Sequence, residues 1–412
     1  MPNTEIVPES AHNMTLVGHS DQGGRGDCLQ VMVARGHAYI GTRVSRGINV
    51  TDVRDPRHPK PVNFVPTHPN SVSMHLQAAD DLLLHIQEAD QRSLLSAQEY
   101  YGGSGRVDSR RFGTRGQDYA AGMTVYDIKD PANPRRIGFL EVEGLGIHRI
   151  WWIGGRYAYA SALLDGFIDH ILIVIDMADP TKPRECGRWW IPGMHAAAGE
   201  TPGWSNRYAL HHAIVRDDFA YGAWRDGGLT ILDVKDKSAP KLIAHRTWSP
   251  PFGGGTHNCL PLTDRNLLIV LDEAVLDNME DGFKPIWVFD NQVKSNPISV
   301  STFPLPNDRD YVAVGGHFGP HNIHENRPGS FQSSTLVFAT YQNAGVRVYD
   351  ITDPFRPVEV GACVPPAPKK LVDPRPNRPI VLHSADVFVD KNGLCYCTDW
   401  SGAGLHIMEY LG

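Results

Sequence analysis

GMTVYDIKDPANPRRI (122–137), ILIVIDMADPTKPREC (171–186) and GVRVYDITDPFRPVEV (345–360) share one pattern: an apolar run ending in an acid, a turn with Asp and Pro, and a second short apolar run. The pattern recurs in GINVTDVRDPRHPKPV (47–62), GLTILDVKDKSAPKLI (228–243) and PIWVFDNQVKSNPISV (285–300), and ends truncated in GLHIMEY (404–410). Val, Ile and Tyr alternating with polar residues predict strands. Proline cannot donate to a sheet ladder, so the Asp/Pro cluster between two such runs predicts a hairpin turn. Further strand pairs lie upstream, among them HLQAADDLLLHIQ (75–87), RIWWIGGRYAYAS (149–161), HHAIVRDDFAYGAW (211–224) and DVFVDKNGLCYCTD (386–399). Each copy is expected to be a four-stranded meander.

Seven meanders repeating every 50 to 60 residues or so predict an all-β fold, a seven-bladed β-propeller of four-stranded antiparallel blades, whose radial closure protects sheet edges. The whole of residues 1–412 is expected to form this single domain. The last copy lacks an outer strand, and MTLVGH (14–19) matches outer strands such as RRIGF (135–139) and KLIAH (241–245). The N-terminal strand is therefore expected to complete the last blade and close the ring. A two-sheet sandwich or an open solenoid, the competing architectures, would not need that complementation. ILIVID (171–176), LTILDV (229–234) and VRVYDI (346–351) resemble the LVIVD-repeat propeller family, and the resemblance runs over nearly the whole chain. It implies a fold and not an activity, since propellers host enzymes, lectins and scaffolds alike.

With 41% apolar and 21% charged residues in 412, the chain can bury a large core, and disorder is excluded. A net charge of −7 and the lack of a basic run argue against nucleic acid as a partner. No apolar stretch is long enough to span a bilayer, and MPNTEIVPESAHNM (1–14) does not read as a signal peptide. No membrane partner is expected. The cysteines (Cys28, Cys186, Cys259, Cys363, Cys395 and Cys397) are scattered without a repeated CxxC, which fits a reducing, cytoplasmic location. Cys395 and Cys397 share a strand face and read as core residues, with a redox pair as the alternative.

Of the 19 histidines, eight gather at one point of the repeat. The innermost strands begin with His75, His148, His211–His212, His257, His321 with His324, and His383, whereas blade one offers Arg25, Asp27 and Gln30. Such strands line the channel of a propeller, so six blades are expected to aim imidazoles at one axis. Imidazole suits Zn or Fe first, and also Mn, Ni or Cu. His75, His212, His257 and His321 are the first-choice ligands of a divalent metal ion. His148, His211, His324 and His383 are read as further ligands, supporting partners or substrate contacts. Adjacent His211 and His212 point to opposite strand faces, so one of them is expected to reach the ion. Taken singly, each histidine also reads as a hydrogen-bonded structural group; the shared register favours a metal.

HNIHEN (321–326) contains an HxxH pair that is weak outside a helix. Glu325 reads as a general base or as an acceptor that fixes a histidine tautomer, with a solvated loop acid as the alternative. Arg25 reads as an anion-binding residue and Asp27 as a proton-transfer group, or the two as a salt bridge. Long insertions at about 88–121, 189–208, 303–320 and 362–382 are expected on the histidine face, where they would cover a pocket. The first carries Arg92, Arg106, Arg110, Arg111 and Arg115 with Tyr100 and Tyr101. The second carries Trp189, Trp190, Trp204, His195 and Glu200, the last read as a substrate contact. GxSxG and Walker A motifs are absent.

The expected function is a metal-dependent enzyme acting on a small organic, carboxylated substrate, with redox-neutral hydrolysis or lyase chemistry preferred. A non-haem iron oxygenase or oxidase on a propeller axis is the second reading, and a non-catalytic binding propeller the third. A homo-oligomer is compatible with all three.

Overall fold

The computed structural model describes residues 7–90, 118–373 and 378–412. The expected arginines between Arg92 and Arg115, with Tyr100 and Tyr101, lie outside the described residues.

Antiparallel pairing gathers the described strands into five sheets, two of which each join two blade-like units edge to edge. Blade one is Cys28–Ala34, His37–Thr42, Gly47–Asp52 and Lys60–Pro66 in that order. Blades two and three meet at a single register pair, Glu88 with Gly146, and blades four and five at Arg225 with Thr256. Blade six pairs Leu336–Thr340, Val346–Asp350 and Val358–Val364, and its inner edge is the segment around His321 to His324, which exchanges backbone hydrogen bonds with Phe338 and Thr340. Blade seven runs Ser384–Val389, Leu394–Asp399 and Gly404–Tyr410.

The ring is closed by the N-terminal segment. Met14–Ser20 pairs antiparallel with Gly404–Tyr410, as the sequence led us to expect. Ser10–His12 goes further than expected and adds a strand to the outer edge of blade six. One short stretch thus clasps two blades whose other strands come from the opposite end of the chain.

The acid that ends each apolar run caps the turn after it. Asp127 accepts the Lys129 N–H at 2.9 Å, Asp176 the Ala178 N–H at 3.0 Å and Asp233 the Lys235 N–H at 2.9 Å. A short carboxylate is well suited to this bond, which explains why the pattern needs Asp before the proline. The outer strand then bulges and packs on the next blade's turn. At Gly187 an added Cβ would lie 2.0 Å from the Lys237 carbonyl, and at Gly18 it would lie 2.1 Å from that of Pro56. Only glycine permits this approach, and the Gly18 contact lies between the last blade and the first.

Middle strands such as Ile171–Asp176 are buried throughout, because a propeller sheet packs on a neighbour at both faces. Their apolar runs are accordingly near-continuous rather than strictly alternating. Cys395 and Cys397 are buried in the core with Val387 and Met408, and the cysteines are free thiols. No helix among the described residues is long and apolar enough to cross a membrane.

Candidate metal centre

Three imidazoles meet first. One ligating atom from each of His75, His148 and His211 lies within 4.8 Å of the others, and all three side chains are buried. Each belongs to the inner edge of a different blade: His75 just precedes Leu76–Ala79, His148 lies within Gly144–Trp151 and His211 within Tyr208–Arg216. Their ring centres are 5.1 Å apart for His75 and His148, 4.9 Å for His148 and His211, and 6.0 Å for His75 and His211.

The outer ring nitrogens are held. His211 Nδ1 lies 3.0 Å from the His257 carbonyl, which can only accept, so Nδ1 carries the proton and Nε2 keeps its lone pair. His148 Nδ1 donates to Glu88 Oε2 at 3.0 Å, the carboxylate–imidazole arrangement that metal-bound histidines use. His75 Nδ1 is buried without a partner, an orphaned nitrogen that an ion would satisfy. Burial holds the pKa of His75 and of His211 well below 6.5, and that of His148 is lowered too, so the rings are neutral donors at pH 7.

Glu88 is shared. Its Oε1 accepts from His170 Nε2 at 2.6 Å, while His170 Nδ1 lies 2.7 Å from Asp169, itself paired with Arg207 at 2.8 Å. Burial alone would lower the His170 pKa, but Glu88 and Asp169 outweigh it and raise it to about 9. Since the folded value lies above the ordinary 6.5, His170 contributes stability in full below pH 6.5 and loses it as pH rises through about 9. The melting temperature is expected to fall across that window, and a melting series on His170→Gln should show a flatter alkaline limb. An unchanged limb would mean that His170 is not charged in the folded chain.

A second group adjoins the first. His257 Nε2 lies 3.4 Å from Glu273 Oε2 and His321 Nε2 lies 3.3 Å from Glu273 Oε1, with the two rings 4.7 Å apart. The His257 ring stacks on that of His211 at 3.5 Å. Arg225 contacts the same Glu273 carboxylate. His321 Nδ1 contacts the Ala385 carbonyl, which turns Nε2 toward Glu273. A further set, Asp277, His317 and His383, stands to one side, and there His383 Nε2 already accepts the His317 N–H at 3.1 Å.

Other sequence candidates lie elsewhere. His212 is not with His75, and of the adjacent pair it is His211 that joins the first group; strand alternation turns His212 to Asn258, at 3.0 Å, and toward Glu325, at 3.7 Å. Glu325 is not a solvated acid. It is buried and receives Arg149 Nη2 at 3.1 Å, while Arg149 Nη1 donates to Asn322 at 2.9 Å. Asp27 accepts the backbone N–H groups of Val44 at 2.6 Å and Ser45 at 2.7 Å, so it braces a turn. Arg25 is exposed and lies over the Phe64 ring at 4.4 Å. Glu200 organises its own insertion by accepting the Gly193 N–H at 2.7 Å and the His195 N–H at 3.1 Å. His324 is engaged at both nitrogens, with the Phe331 carbonyl at 2.8 Å and the Val389 N–H at 3.1 Å.

Glu88 and Glu273 escaped the sequence reading. A signal was present: QEA (87–89) and DEA (272–274) occupy the same register, where the second strand of a blade ends beside the inner strand of the next. The polar layer of Arg149, Glu325, Asn322 and Asn258 was also missed. Arg149 is fully buried, so Arg149→Met should leave Glu325 without its nearest cation and cost about 3–5 kcal/mol, the usual penalty for breaking a buried pair. Denaturant melts would check this; a loss below 1 kcal/mol or so would show the pair to be dispensable.

The model of the LVIVD repeat matches residues 213–245, which form the last three strands and hairpin of blade four. The fold is that of a β-propeller, and this stretch of it matches the LVIVD repeat. Among solved structures it is similar to the β-propeller domain of Myceliophteria thermophila Cps50 (Swd1), at 12% identity and a TM-score of 0.55, covering 97% of this chain and 100% of that one. It is also similar to the periplasmic gluconolactonase PpgL of Pseudomonas aeruginosa, at 12% identity and a TM-score of 0.53, covering 96% of this chain and 94% of that one. At such identity these likenesses concern the fold. No curated protein sequence matches the chain.

Proposed function

We propose that the chain is a metal-dependent enzyme whose ion is held by His75, His148 and His211, and that it acts on a small carboxylated organic substrate by redox-neutral hydrolysis or elimination. The carrying observation is the convergence of three buried, neutral imidazoles from three blades to within 4.8 Å, two of them with Nδ1 tied to an acceptor. His324 satisfies both nitrogens locally, whereas His75 Nδ1 has no partner. Three neutral ligands leave the charge of a divalent ion uncompensated, and such an ion polarises a carbonyl and lowers the pKa of bound water.

The chain's own groups have separate parts. Glu88 and the His257 carbonyl orient their rings, and burial keeps those rings unprotonated. Arg225, paired with Glu273 and close enough to lower the pKa values of His148 and His211, supplies the cation that favours an anionic substrate. Zinc is the first expectation and iron the second. Elemental analysis of protein purified without added metal tests the reading. A colourless zinc protein with esterase, lactonase or lyase activity on carboxylates is the expected result. An oxygen-reactive iron centre would overturn the redox-neutral part, and metal-free protein that binds no zinc on addition would overturn the whole.

A further inference from the structure

His211 and His257 stack with ring centres 3.5 Å apart. That separation is too short for two ligands of one ion. With a metal–nitrogen bond of about 2.1 Å and a ring centre roughly 1.1 Å beyond the nitrogen, imidazoles at tetrahedral or octahedral angles have centres about 4.5–5.2 Å apart, rising to about 6.3 Å for a trans pair. Within the His75–His148–His211 group, 5.1 and 4.9 Å fall in the first range and 6.0 Å lies between it and the trans value. The 4.7 Å between His257 and His321 also falls in the first range. Only the pair that bridges the two groups fails.

Glu273 gives an independent measure. Its oxygens stand 3.4 and 3.3 Å from His257 Nε2 and His321 Nε2. A charge-assisted hydrogen bond would draw such atoms to about 2.7–2.9 Å, as Glu88 does with His170 at 2.6 Å. Adjacent ligands of one ion, each about 2.1 Å from it, are separated by about 3.0–3.4 Å instead. Glu273 thus has the spacing of a ligand. The chemistry agrees, for Arg225 contacts Glu273 and favours its ionised carboxylate. A carboxylate has lone pairs for both Arg225 and an ion.

We infer that the centre is dinuclear: His75, His148 and His211 hold one divalent ion, and His257, Glu273 and His321 hold a second beside it, the stacked His211–His257 pair forming the wall between them. This rests on the proposed metal centre for its first ion and adds the second. Two ions held by these residues would supply paired Lewis acids for a displacement at oxygen-bearing groups. Such a pair would favour a substrate with a carboxylate, ester or lactone group.

The test is zinc stoichiometry on the full chain, stripped with chelator, reloaded with Zn²⁺ alone, desalted and assayed by mass spectrometry. The wild type should retain two ions. His257→Ala and the near-isosteric Glu273→Gln should each retain one, as should His148→Ala, with circular dichroism and melting showing each variant folded. One ion in the wild type that survives Glu273→Gln and His257→Ala would overturn the second ion and spare the first. One ion lost in both sets of variants would mean a single shared site and would overturn the inference. No ion in the wild type would overturn this inference and the proposed function together.

Discussion

Replacing His148 with alanine is expected to empty the first ion site and to lower turnover by about 10³-fold or more, because the Lewis acid that polarises the substrate is lost with its ligand. His148 is the sharpest choice because it connects two layers. Its Nδ1 is tied to Glu88 at 3.0 Å, and it stands between His75 and His211 at ring separations of 5.1 and 4.9 Å. Glu88→Gln is the graded companion, since it leaves the ring in place and changes the acceptor that orients it. A supporting carboxylate of this kind is typically worth about 10–100-fold in metal affinity. Metal content and kcat/KM measured on both variants should therefore rank wild type, Glu88→Gln and His148→Ala in that order. Full activity in His148→Ala, with its first ion site empty, would end the case for catalysis by that ion.

Removing residues 1–20 is expected to be the most damaging change to the fold. Met14–Ser20 is the outer strand of blade seven and Ser10–His12 extends blade six, so the truncation strips an edge from each and deletes the Gly18 contact with the Pro56 turn. Each lost backbone hydrogen bond is worth about 1 kcal/mol, and Met14 is withdrawn from the core with them. The total rivals the 5–15 kcal/mol or so by which a domain is stable. The truncated chain should aggregate on expression or melt tens of degrees lower, and adding a peptide of residues 7–20 should recover part of the loss. A soluble truncation with the wild-type melting curve would show that the clasp is not needed for closure.

The fold was legible because its signals are local and repeated. An acid that caps a turn two residues on, as Asp176 does with Ala178, leaves its mark in a few adjacent positions. The truncation of the last copy at Tyr410 and the match of 14–19 to an outer strand gave the closure of the ring. The added strand Ser10–His12 was not legible, because three residues carry no periodicity. Nor was the burial of both faces in Ile171–Asp176 anticipated, since that depends on what packs against the sheet.

At the candidate site, the register of the histidines reported that several imidazoles approach the axis, and period-two alternation reported that His211 and His212 part company. Alternation fixes a relation between neighbours and leaves open which of them faces inward. That choice was made by the channel, where the Arg149–Glu325–Asn322–Asn258 layer takes up His212 through Asn258, and His211 is left with His75 and His148. Glu325 looked chemical in sequence because it follows His324, and Arg25 and Asp27 because they stand where the first blade lacks a histidine. Their partners, Arg149, the turn at Val44 and Ser45, and the Phe64 ring, lie on other strands or beyond a hairpin.

The chain's order of residues therefore settled the repeat, its strands, the closing strand and the gathering of histidines at one end of a channel, all of which follow from hydrogen bonding and burial over short distances. The partition of those histidines into two groups, the entry of Glu88 and Glu273 from neighbouring strands and the engagement of Glu325 by Arg149 were decided only in three dimensions. Each depends on separations of a few ångströms between residues far apart in the chain, and a linear pattern has no term for such distances.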